Sequence, residues 1–243
     1  MKFAAGTDRG LIRELNEDSY NIITNVADHT CVFIIADGMG GHNGGEIASR
    51  MAVDYISNFI AGNPDRFLSA NWGSELKNLV EAANTAVYQK SLESPEINGM
   101  GTTLTMAVVR DSEMTVAHVG DSRLYLARNG EMSQVTADHS YIEELVRKGS
   151  LTREEAEKHP RKNVITRALG CTPELEVDIL NLVNEKNDLW ILCTDGLTNM
   201  LSEDEIYETA AGNDPETACK MLIEAANRQG GEDNITVIVI KYE

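Results

Sequence analysis

Residues 30–42 read TCVFIIADGMGGH, and the fold assignment starts from this stretch. The apolar, β-branched run over residues 31–36 predicts a buried strand, and it leads directly into Asp37 and Gly38. An Asp-Gly pair after a strand is typical of a turn, because Gly adopts positive φ and Asp bonds to nearby backbone. Taken alone, the stretch indicates a strand that ends at the rim of a sheet.

Similar apolar runs recur along the chain, each bounded by Gly, Asp or Asn. They lie at residues 20–24, 103–109, 114–119, 124–127, 189–193 and 235–240. These runs are short and rich in β-branched residues, so we expect further strands.

Amphipathic helices are predicted between the strands. Apolar residues at three-and-four spacing mark residues 46–60, 75–92 and 215–228, and capping boxes at 152–155 and 202–205 start two shorter helices. Two long helices precede a cluster of strands over 102–135, and the tail returns to strand, helix, helix, strand. This order predicts antiparallel sheets packed together with paired helices outside, not a doubly wound parallel sheet. The polar stretch 140–170 is expected to form an insertion at one edge.

Composition excludes several classes of protein. The 243-residue chain is 42% hydrophobic and 25% charged, an ordinary composition for a folded domain. Its net charge of −18 repels nucleic acid and anionic membranes, and indicates either a solvated acidic surface or carboxylates that bind cations. No apolar run approaches the ~18 residues of a membrane span, and no signal-peptide pattern is visible. We expect no nucleic-acid partner, no membrane insertion and a cytoplasmic location.

Four aspartates lie where predicted strands begin or end: Asp37, Asp121, Asp195 and Asp233. Each alone is most simply a turn residue, but neighbouring strands that end in acids would form a cluster of carboxylates. Clustered like charges destabilise one another unless a cation lies among them. Mg²⁺ and Mn²⁺ prefer carboxylate, carbonyl and water oxygens, and no His or Cys ligand spacing indicates zinc.

Arg13, Glu17 and Asp18 extend this pattern near the start of the chain. A guanidinium beside a metal-bound carboxylate cluster suits a phosphate ligand, whose oxygens it matches in a bidentate way. From spacing alone, a surface ion pair of Arg13 with Glu14 or Glu17 is equally compatible.

Short motifs stand in a fixed order from about residue 6 to residue 240. They are RELNED at 13–18, ADGMGGH at 36–42, GE at 45–46, AS at 48–49, GTT at 101–103, VGDSR at 119–123, TDGL at 194–197 and DNIT at 233–236. Their number, order and spacing resemble the PP2C (PPM) family of metal-dependent serine/threonine protein phosphatases, and DGMGGH resembles its bacterial branch. The resemblance implies a single α+β domain over residues 1–243: a four-layer αββα sandwich of two antiparallel β-sheets flanked by pairs of helices, with a flap at about 140–168.

The resemblance also implies the site. Asp37 would bridge two Mn²⁺ or Mg²⁺ ions, the Gly38 carbonyl would bind one of them, and Asp195 and Asp233 the other. Glu17 and Asp18 would act through metal-bound waters, and Asp121 would help to hold a third, weaker ion. Arg13 would bind the phosphate of the substrate, and Arg13 and Asp37 are the expected catalytic residues. A water between the two ions would attack phosphorus.

Two observations bear on the chemistry. None of the four cysteines begins a C-x₅-R motif, since the residue six positions after Cys193 is Asn199. Many eukaryotic members have a histidine, the proposed general acid, where this chain has Met39. His42 and His118 are expected to be structural.

Alternatives stay open at this point. A small-molecule phosphoesterase or a phosphoprotein-binding pseudophosphatase would share the fold, although a pseudophosphatase would be expected to lack Asp37, Asp195 or Asp233. As partners, the resemblance implies phosphorylated proteins and a cognate serine/threonine kinase, and we expect a monomer.

Overall fold

Strand β3, Thr30–Met39, shows how the sequence builds the layers of the fold. Successive side chains of a strand point to opposite faces of the sheet. Val32, Ile34 and Ala36 accordingly lie in a core beneath helices, whereas Phe33 and Ile35 lie in a second core that also contains residues of the other sheet. The strand is apolar on both faces because both faces are covered.

The computed structural model describes residues 1–26, 29–40, 44–68, 72–152, 155–156, 159–161 and 163–243. Its strands are β1 Lys2–Asp8, β2 Asp18–Thr24, β3, β4 Gly101–Thr102, β5 Leu104–Arg110, β6 Glu113–Val119, β7 Arg123–Arg128, β8 Glu131–Gln134, β9 Asp178–Val183, β10 Leu189–Cys193 and β11 Ile235–Lys241. Sheet A has the order β1-β11-β10-β7-β8, and sheet B has the order β2-β3-β5-β6-β9, with the short β4 paired to β3. Every pairing is antiparallel.

The α-helices form the outer layers. They are α1 Gly44–Gly62, α2 Trp72–Ser91, α3 Tyr141–Arg147, α4 Asp195–Thr198, α5 Glu203–Gly212 and α6 Pro215–Arg228. The pair α1 and α2 packs on sheet B, and α5 and α6 pack together against sheet A. Three apolar cores separate the four layers, one beneath each helix pair and one between the sheets. The predicted α+β sandwich of two antiparallel sheets flanked by helix pairs is confirmed.

The helices agree closely with their sequence patterns. Helix α6 has the predicted bounds, with Asp214 as N-cap and Pro215 at the first helical position. The capping box of Ser202 and Glu205 starts α5 as expected. The capping bonds of Thr152 and Glu155 form too, but most of the helix predicted after them lies outside the described residues.

One strand boundary was predicted wrongly. Asp37 does not follow β3 but lies within it, because Gly38 and Met39 continue the strand by pairing with Thr102 and Gly101 of β4. The Asp-Gly pair that reads as a turn in the sequence is thus extended backbone at the rim of sheet B.

The predicted flap, about residues 140–168, is only partly described. Its first part is helix α3, with Ser140 as the N-cap. Isolated β-bridges pair Ser140 with Ile165 and, just after the segment, Thr102 with Leu169. Within the described ranges, no helix combines the length and apolar character that crossing a membrane requires.

The cysteines are unpaired and differ in exposure. Cys193 and Cys219 are buried in the core beneath α5 and α6. Cys31 is only partly buried, against the core between the sheets, and Cys171 is exposed.

Candidate metal centre

Asp18 lies where the two sheets meet. It is the first residue of β2, and its register partner in sheet B is Asp37. The Oδ2 atom of Asp18 accepts hydrogen bonds from the hydroxyls of Thr194 (2.9 Å) and Thr236 (2.7 Å), which belong to or adjoin strands of sheet A. Its other oxygen, Oδ1, is buried without a hydrogen-bond partner. The side chain therefore joins the sheets with one oxygen and leaves the other free to bind a ligand.

The backbone of Asp37 is held on both sides. Its N–H donates to Thr103 Oγ1 (2.8 Å), and its carbonyl accepts from Thr103 N (2.9 Å) and Thr102 Oγ1 (2.9 Å). The hydroxyl of Thr103 also lies 2.8 Å from that of Ser122, the residue after Asp121. These bonds fix Asp37 and connect it to the turn that carries Asp121.

Gly38 lies where three backbone segments meet. Its N–H donates to the carbonyl of Glu17 (3.1 Å), and a Cβ at this position would come within 2.1 Å of the Gly45 carbonyl oxygen and 2.6 Å of the Glu17 carbonyl oxygen. No residue with a side chain fits without moving the backbone of α1 or of the loop before β2. The Glu17 side chain lies against the start of α1, and its Oε1 atom is buried without a hydrogen-bond partner.

Arg13 and Asp233 form an ion pair at the rim of the cluster. The distance from Arg13 Nη2 to Asp233 Oδ2 is 2.6 Å, and the Arg13 side chain is 49% exposed. The sequence allowed pairing with Glu14 or Glu17 instead, but the structure places the guanidinium on a carboxylate from the other end of the chain. About half of the Arg13 side chain is exposed, so it can also contact a bound anion.

Asn234 holds the loop that carries Arg13. Its Oδ1 accepts from Glu17 N (2.7 Å), and its Nδ2 donates to the carbonyls of Arg9 (2.8 Å) and Leu15 (2.9 Å). Gly10 adopts φ +78°, where a Cβ would come within 2.3 Å of the Asp233 carbonyl oxygen. The loop over residues 9–17 is thus clamped to the residues that precede β11.

Asp195 and Asp121 complete the cluster. Asp195 is the first residue of α4, and its Oδ2 accepts a hydrogen bond from Asn199 Nδ2 (3.0 Å). Asp121 follows β6 and is buried, with its Oδ1 lacking a partner. Asp195 is half-buried and Asp121 is buried. The protein carries almost twice as many acidic as basic residues, so few basic side chains are present to offset these charges.

Burial and repulsion between like charges dominate the electrostatics of the cluster. Burial is the largest cause of each pKa shift, and it raises the pKa of Asp18 to about 7 and that of Asp121 to about 8. Burial and the neighbouring charges of Asp18 and Asp195 hold the pKa of Asp37 well above its ordinary value. The pKa of Asp195 is raised by burial and by the charge of Asp233. These groups lie close enough for the charge of each to affect the others.

The donor set fits a hard divalent cation. Buried polar atoms normally have hydrogen-bond partners, so unpartnered oxygens on Glu17, Asp18 and Asp121 require an explanation. A cation among them would supply the missing partner and would offset the repulsion between carboxylates. Among the residues that the structure describes, however, no three His, Cys, Asp or Glu side chains already stand in a closed ligand set. The cluster is a group of neighbouring carboxylates at the rim, not a cage.

The sequence identified the carboxylates but not the residues that position them. Thr103, Thr194, Thr236 and Asn234 each lie within a motif or beside one, yet no role was assigned to them. Their only sequence signal is this adjacency, because each acts through a contact with a distant segment. His118 is buried, as expected for a structural residue, and His42 lies outside the described residues.

Comparisons with known proteins agree with this arrangement. The sequence profile of the family described as protein phosphatase 2C matches residues 9–229. The chain belongs to the protein phosphatase 2C family. It is 39% identical over 238 residues to the serine/threonine phosphatase stp of Listeria monocytogenes, which covers 98% of this chain and 94% of that protein.

Solved structures of the family superpose over the whole chain. The crystal structure of the serine/threonine phosphatase PstP of Mycobacterium tuberculosis gives a TM-score of 0.89 at 36% identity, covering 100% of this chain and 98% of that chain. A PstP catalytic domain in complex with 2 manganese ions gives a TM-score of 0.86 at 34% identity, covering 100% and 98%. This member of the protein phosphatase 2C family is a serine/threonine phosphoprotein phosphatase that depends on divalent metal.

Proposed function

We propose that the chain hydrolyses phosphoserine and phosphothreonine in proteins by direct attack of water on phosphorus, in a site for two Mn²⁺ or Mg²⁺ ions. The observation that carries this proposal is the cluster of carboxylates with unpartnered buried oxygens next to an exposed guanidinium. No side-chain nucleophile is needed. Cys193, the cysteine closest in sequence to Asp195, is buried, and burial raises the pKa of its thiol to about 12.

The proposed ligands are divided between the two sheets. The Asp37, Asp195 and Asp233 carboxylates and the Gly38 carbonyl would hold the ions directly. Glu17 and Asp18 would bind through waters, which suits the buried, unpartnered Oε1 of Glu17 and Oδ1 of Asp18. Asp121 would hold a third, weaker ion. Bound ions would supply Lewis-acid chemistry and would lower the pKa of a water between them.

Arg13 would orient the phosphate group. Its pairing with Asp233 fixes the guanidinium at the rim of the cluster while leaving about half of the side chain exposed. A phosphate placed there can accept two parallel N–H bonds, and the arginine charge stabilises the negative charge that develops on its oxygens. Met39 cannot donate a proton, so the leaving serine or threonine oxygen must be protonated by a water or another group.

The test is an assay of p-nitrophenyl phosphate and a phosphothreonine peptide with Mn²⁺, with Mg²⁺ and with EDTA. Asp195→Ala is the site variant, and Asp204→Ala, an exposed acid in the first turn of α5, is the matched control. We expect turnover of both substrates that is lost in EDTA and in Asp195→Ala but retained in Asp204→Ala. Turnover indifferent to EDTA would exclude the binuclear mechanism.

Turnover of metabolite phosphates but not of the peptide would favour the small-molecule phosphoesterase. Metal binding without any turnover would favour the pseudophosphatase. A cognate kinase, a monomeric state, a cytoplasmic location and a single domain over residues 1–243 stay predictions. The role of the flap stays one as well: exchanging residues 140–168 for another member's flap should change the preference among phosphopeptides.

A further inference from the structure

Three of the exposed large apolar side chains lie in the loop that carries Arg13. Leu11 is 63% exposed, Ile12 is 69% exposed and Leu15 is 42% exposed. Single exposed apolar residues are common on protein surfaces and need no explanation. Here, however, they flank Arg13, the residue proposed to bind the phosphate: Leu11 and Ile12 precede it in the sequence, and Leu15 follows it. We call these three side chains the Arg13 surface.

The backbone beneath this surface is fixed. Leu11 N and Ile12 N both donate to the carbonyl of Gly231, at 2.7 Å and 3.3 Å. The carbonyl of Leu15 accepts from the buried side chain of Asn234 at 2.9 Å. A flexible loop could fold its apolar side chains inward, but this loop is held at both ends by hydrogen bonds. The apolar side chains are therefore exposed on a preformed support, which lowers the entropic cost of binding.

The surface extends from the loop over the turn that precedes β11. The Cγ atom of Leu11 lies 3.0 Å from the position that a Cβ of Gly231 would occupy, so Leu11 lies on this turn. The Sδ atom of Met200 lies 3.4 Å from the corresponding position at Gly230. A Cβ at Gly231 would also come within 2.5 Å of Asn227 Oδ1, so the absence of a side chain at Gly231 lets Leu11 pack directly on this turn.

A substrate whose phosphate binds Arg13 would lie near the loop that carries these side chains. Consecutive Cα atoms are ~3.8 Å apart, so residues within two positions of a phosphorylated residue lie within about 8 Å of it. If the phosphate is on Arg13, a neighbouring side chain on one side of the phosphorylated residue reaches Leu11, Ile12 or Leu15. An apolar side chain would lose water on both partners by binding there, whereas a charged one would find no partner on these three side chains.

We propose that Leu11, Ile12 and Leu15 form a docking surface for an apolar side chain of the phosphoprotein substrate, within two residues of the phosphorylated serine or threonine. This inference rests on the proposed function and adds a specificity determinant to it. Positive charge in the substrate would then act further from the phosphate, through the acidic net charge of the protein.

The experiment compares two phosphothreonine peptides and p-nitrophenyl phosphate as substrates of the Mn²⁺-loaded protein. One peptide has Leu at the positions one and two residues either side of phosphothreonine, and the other has Asn at those positions. The variant is Leu11→Ser combined with Ile12→Ser. The control is Leu92→Ser. This side chain is 59% exposed and lies just after α2, in the helix layer that covers sheet B.

We expect the wild type to prefer the Leu peptide by about tenfold in kcat/KM, as burial of one apolar side chain allows. The double variant should lose this preference through a higher KM for the Leu peptide, with p-nitrophenyl phosphate turnover unchanged. Leu92→Ser should behave as wild type.

Equal turnover of the two peptides by the wild type would overturn the inference, as would an undiminished preference in the double variant. Both outcomes leave p-nitrophenyl phosphate turnover intact and so leave the proposed function standing. Absence of any metal-dependent turnover by the wild type would instead overturn the proposed function, and this inference with it. A single Ile12→Ser variant repeats the test should the double variant lose turnover of the small substrate.

Discussion

Asp18 of sheet B is hydrogen-bonded to Thr236 of sheet A, at 2.7 Å between Oδ2 and Oγ1. The same oxygen accepts from Thr194, so both strands of sheet A that reach the cluster contact one carboxylate of sheet B. The apolar contacts in the core between the sheets depend little on direction, whereas hydrogen bonds fix both distance and angle. These bonds therefore set the relative position of Asp37 on one sheet and Asp195 beyond the other.

Replacement of both threonines tests this contact. In Thr194→Val with Thr236→Val, Asp18 Oδ2 would lose both donors and Thr236 N would lose its acceptor, Thr194 Oγ1, and a buried polar group left unpaired costs about 1–3 kcal/mol. We expect urea unfolding in EDTA to show a loss of that size, and Mn²⁺ titration to show weaker binding. Thr115→Val removes a buried hydroxyl from β6 and is the control for stability. Unchanged Mn²⁺ affinity in the double variant would contradict a positioning role.

The carboxylate cluster makes the effect of Asp37→Asn depend on metal. Without metal at pH 7.5, folding must either keep Asp37 protonated or bury its charge among others, and asparagine requires neither. The variant should therefore be more stable than wild type in EDTA, by roughly 1–2 kcal/mol. With Mn²⁺ in excess the order should reverse, because only wild type gains binding free energy. Thermal unfolding in both conditions, with Asp204→Asn as control, measures this; a variant less stable in EDTA would argue against repulsion in the cluster.

His118 predicts a pH dependence of stability with the opposite sign to that of the cluster. Its Nε2 lies 3.1 Å from the Ala137 carbonyl, which can only accept, so Nε2 carries the proton and Nδ1 accepts from Thr105 (2.9 Å). Burial lowers the pKa of His118 to about 4. The titratable groups that act on it most strongly are His139, Asp138 and Asp178.

Between the folded pKa of about 4 and the unfolded value of ~6.5, the unfolded chain binds more protons at this histidine. Its contribution to stability is therefore lost as pH falls through that window, by up to about 3 kcal/mol. The raised pKa values of Asp18 and Asp121 act in the other direction in the metal-free protein, since their folded forms retain protons. The informative quantity is the difference in unfolding free energy between wild type and His118→Gln at pH 7.5 and pH 5.0 in EDTA. It should shift in favour of the variant at pH 5.0; an NMR titration with a His118 pKa near 6.5 would contradict the prediction.

Asn234→Ala should loosen the loop that carries Arg13. The substitution removes three hydrogen bonds, including the one from Glu17 N, and leaves these backbone groups to find other partners. We expect a loss of about 2–3 kcal/mol in urea unfolding and a higher KM for phosphopeptides. Asn63→Ala, which removes a bond to the Phe59 carbonyl at the end of α1, provides the comparison. A stability loss with unchanged KM would mean that the contact is structural only.

Sequence patterns predicted the layers well, because long amphipathic helices and doubly buried strands leave a strong periodic signal. Four strands were not predicted: the short β4 and β8, and the longer β1 and β9. The two longer ones were missed for physical reasons. β1, Lys2–Asp8, has few β-branched residues and is extended because it pairs along its whole length with β11. β9, Asp178–Val183, is a half-exposed strand at the edge of sheet B, so its alternation is weak.

The sequence predicted which residues form the site but not how they contact one another. The acids at strand ends and the order of the motifs indicated which side chains come together. The partner of Arg13 could not be read from the sequence, since Asp233 is distant in the chain and Glu14 and Glu17 are near. The same holds for Thr103, Asn234 and Thr236, because each positions a carboxylate that lies in another segment.

The placement of the thiols has a consequence for oxidative stress. Peroxide attacks the thiolate form of cysteine, and burial raises the pKa of Cys193 to about 12 and that of Cys219 to about 11. Desolvation also raises the pKa of Cys31 and Cys171, so no thiol here is activated. With the proposed water nucleophile, the phosphatase would have no cysteine to lose at its reaction centre. This protein should keep dephosphorylating its substrates at peroxide concentrations that silence cysteine-dependent phosphatases.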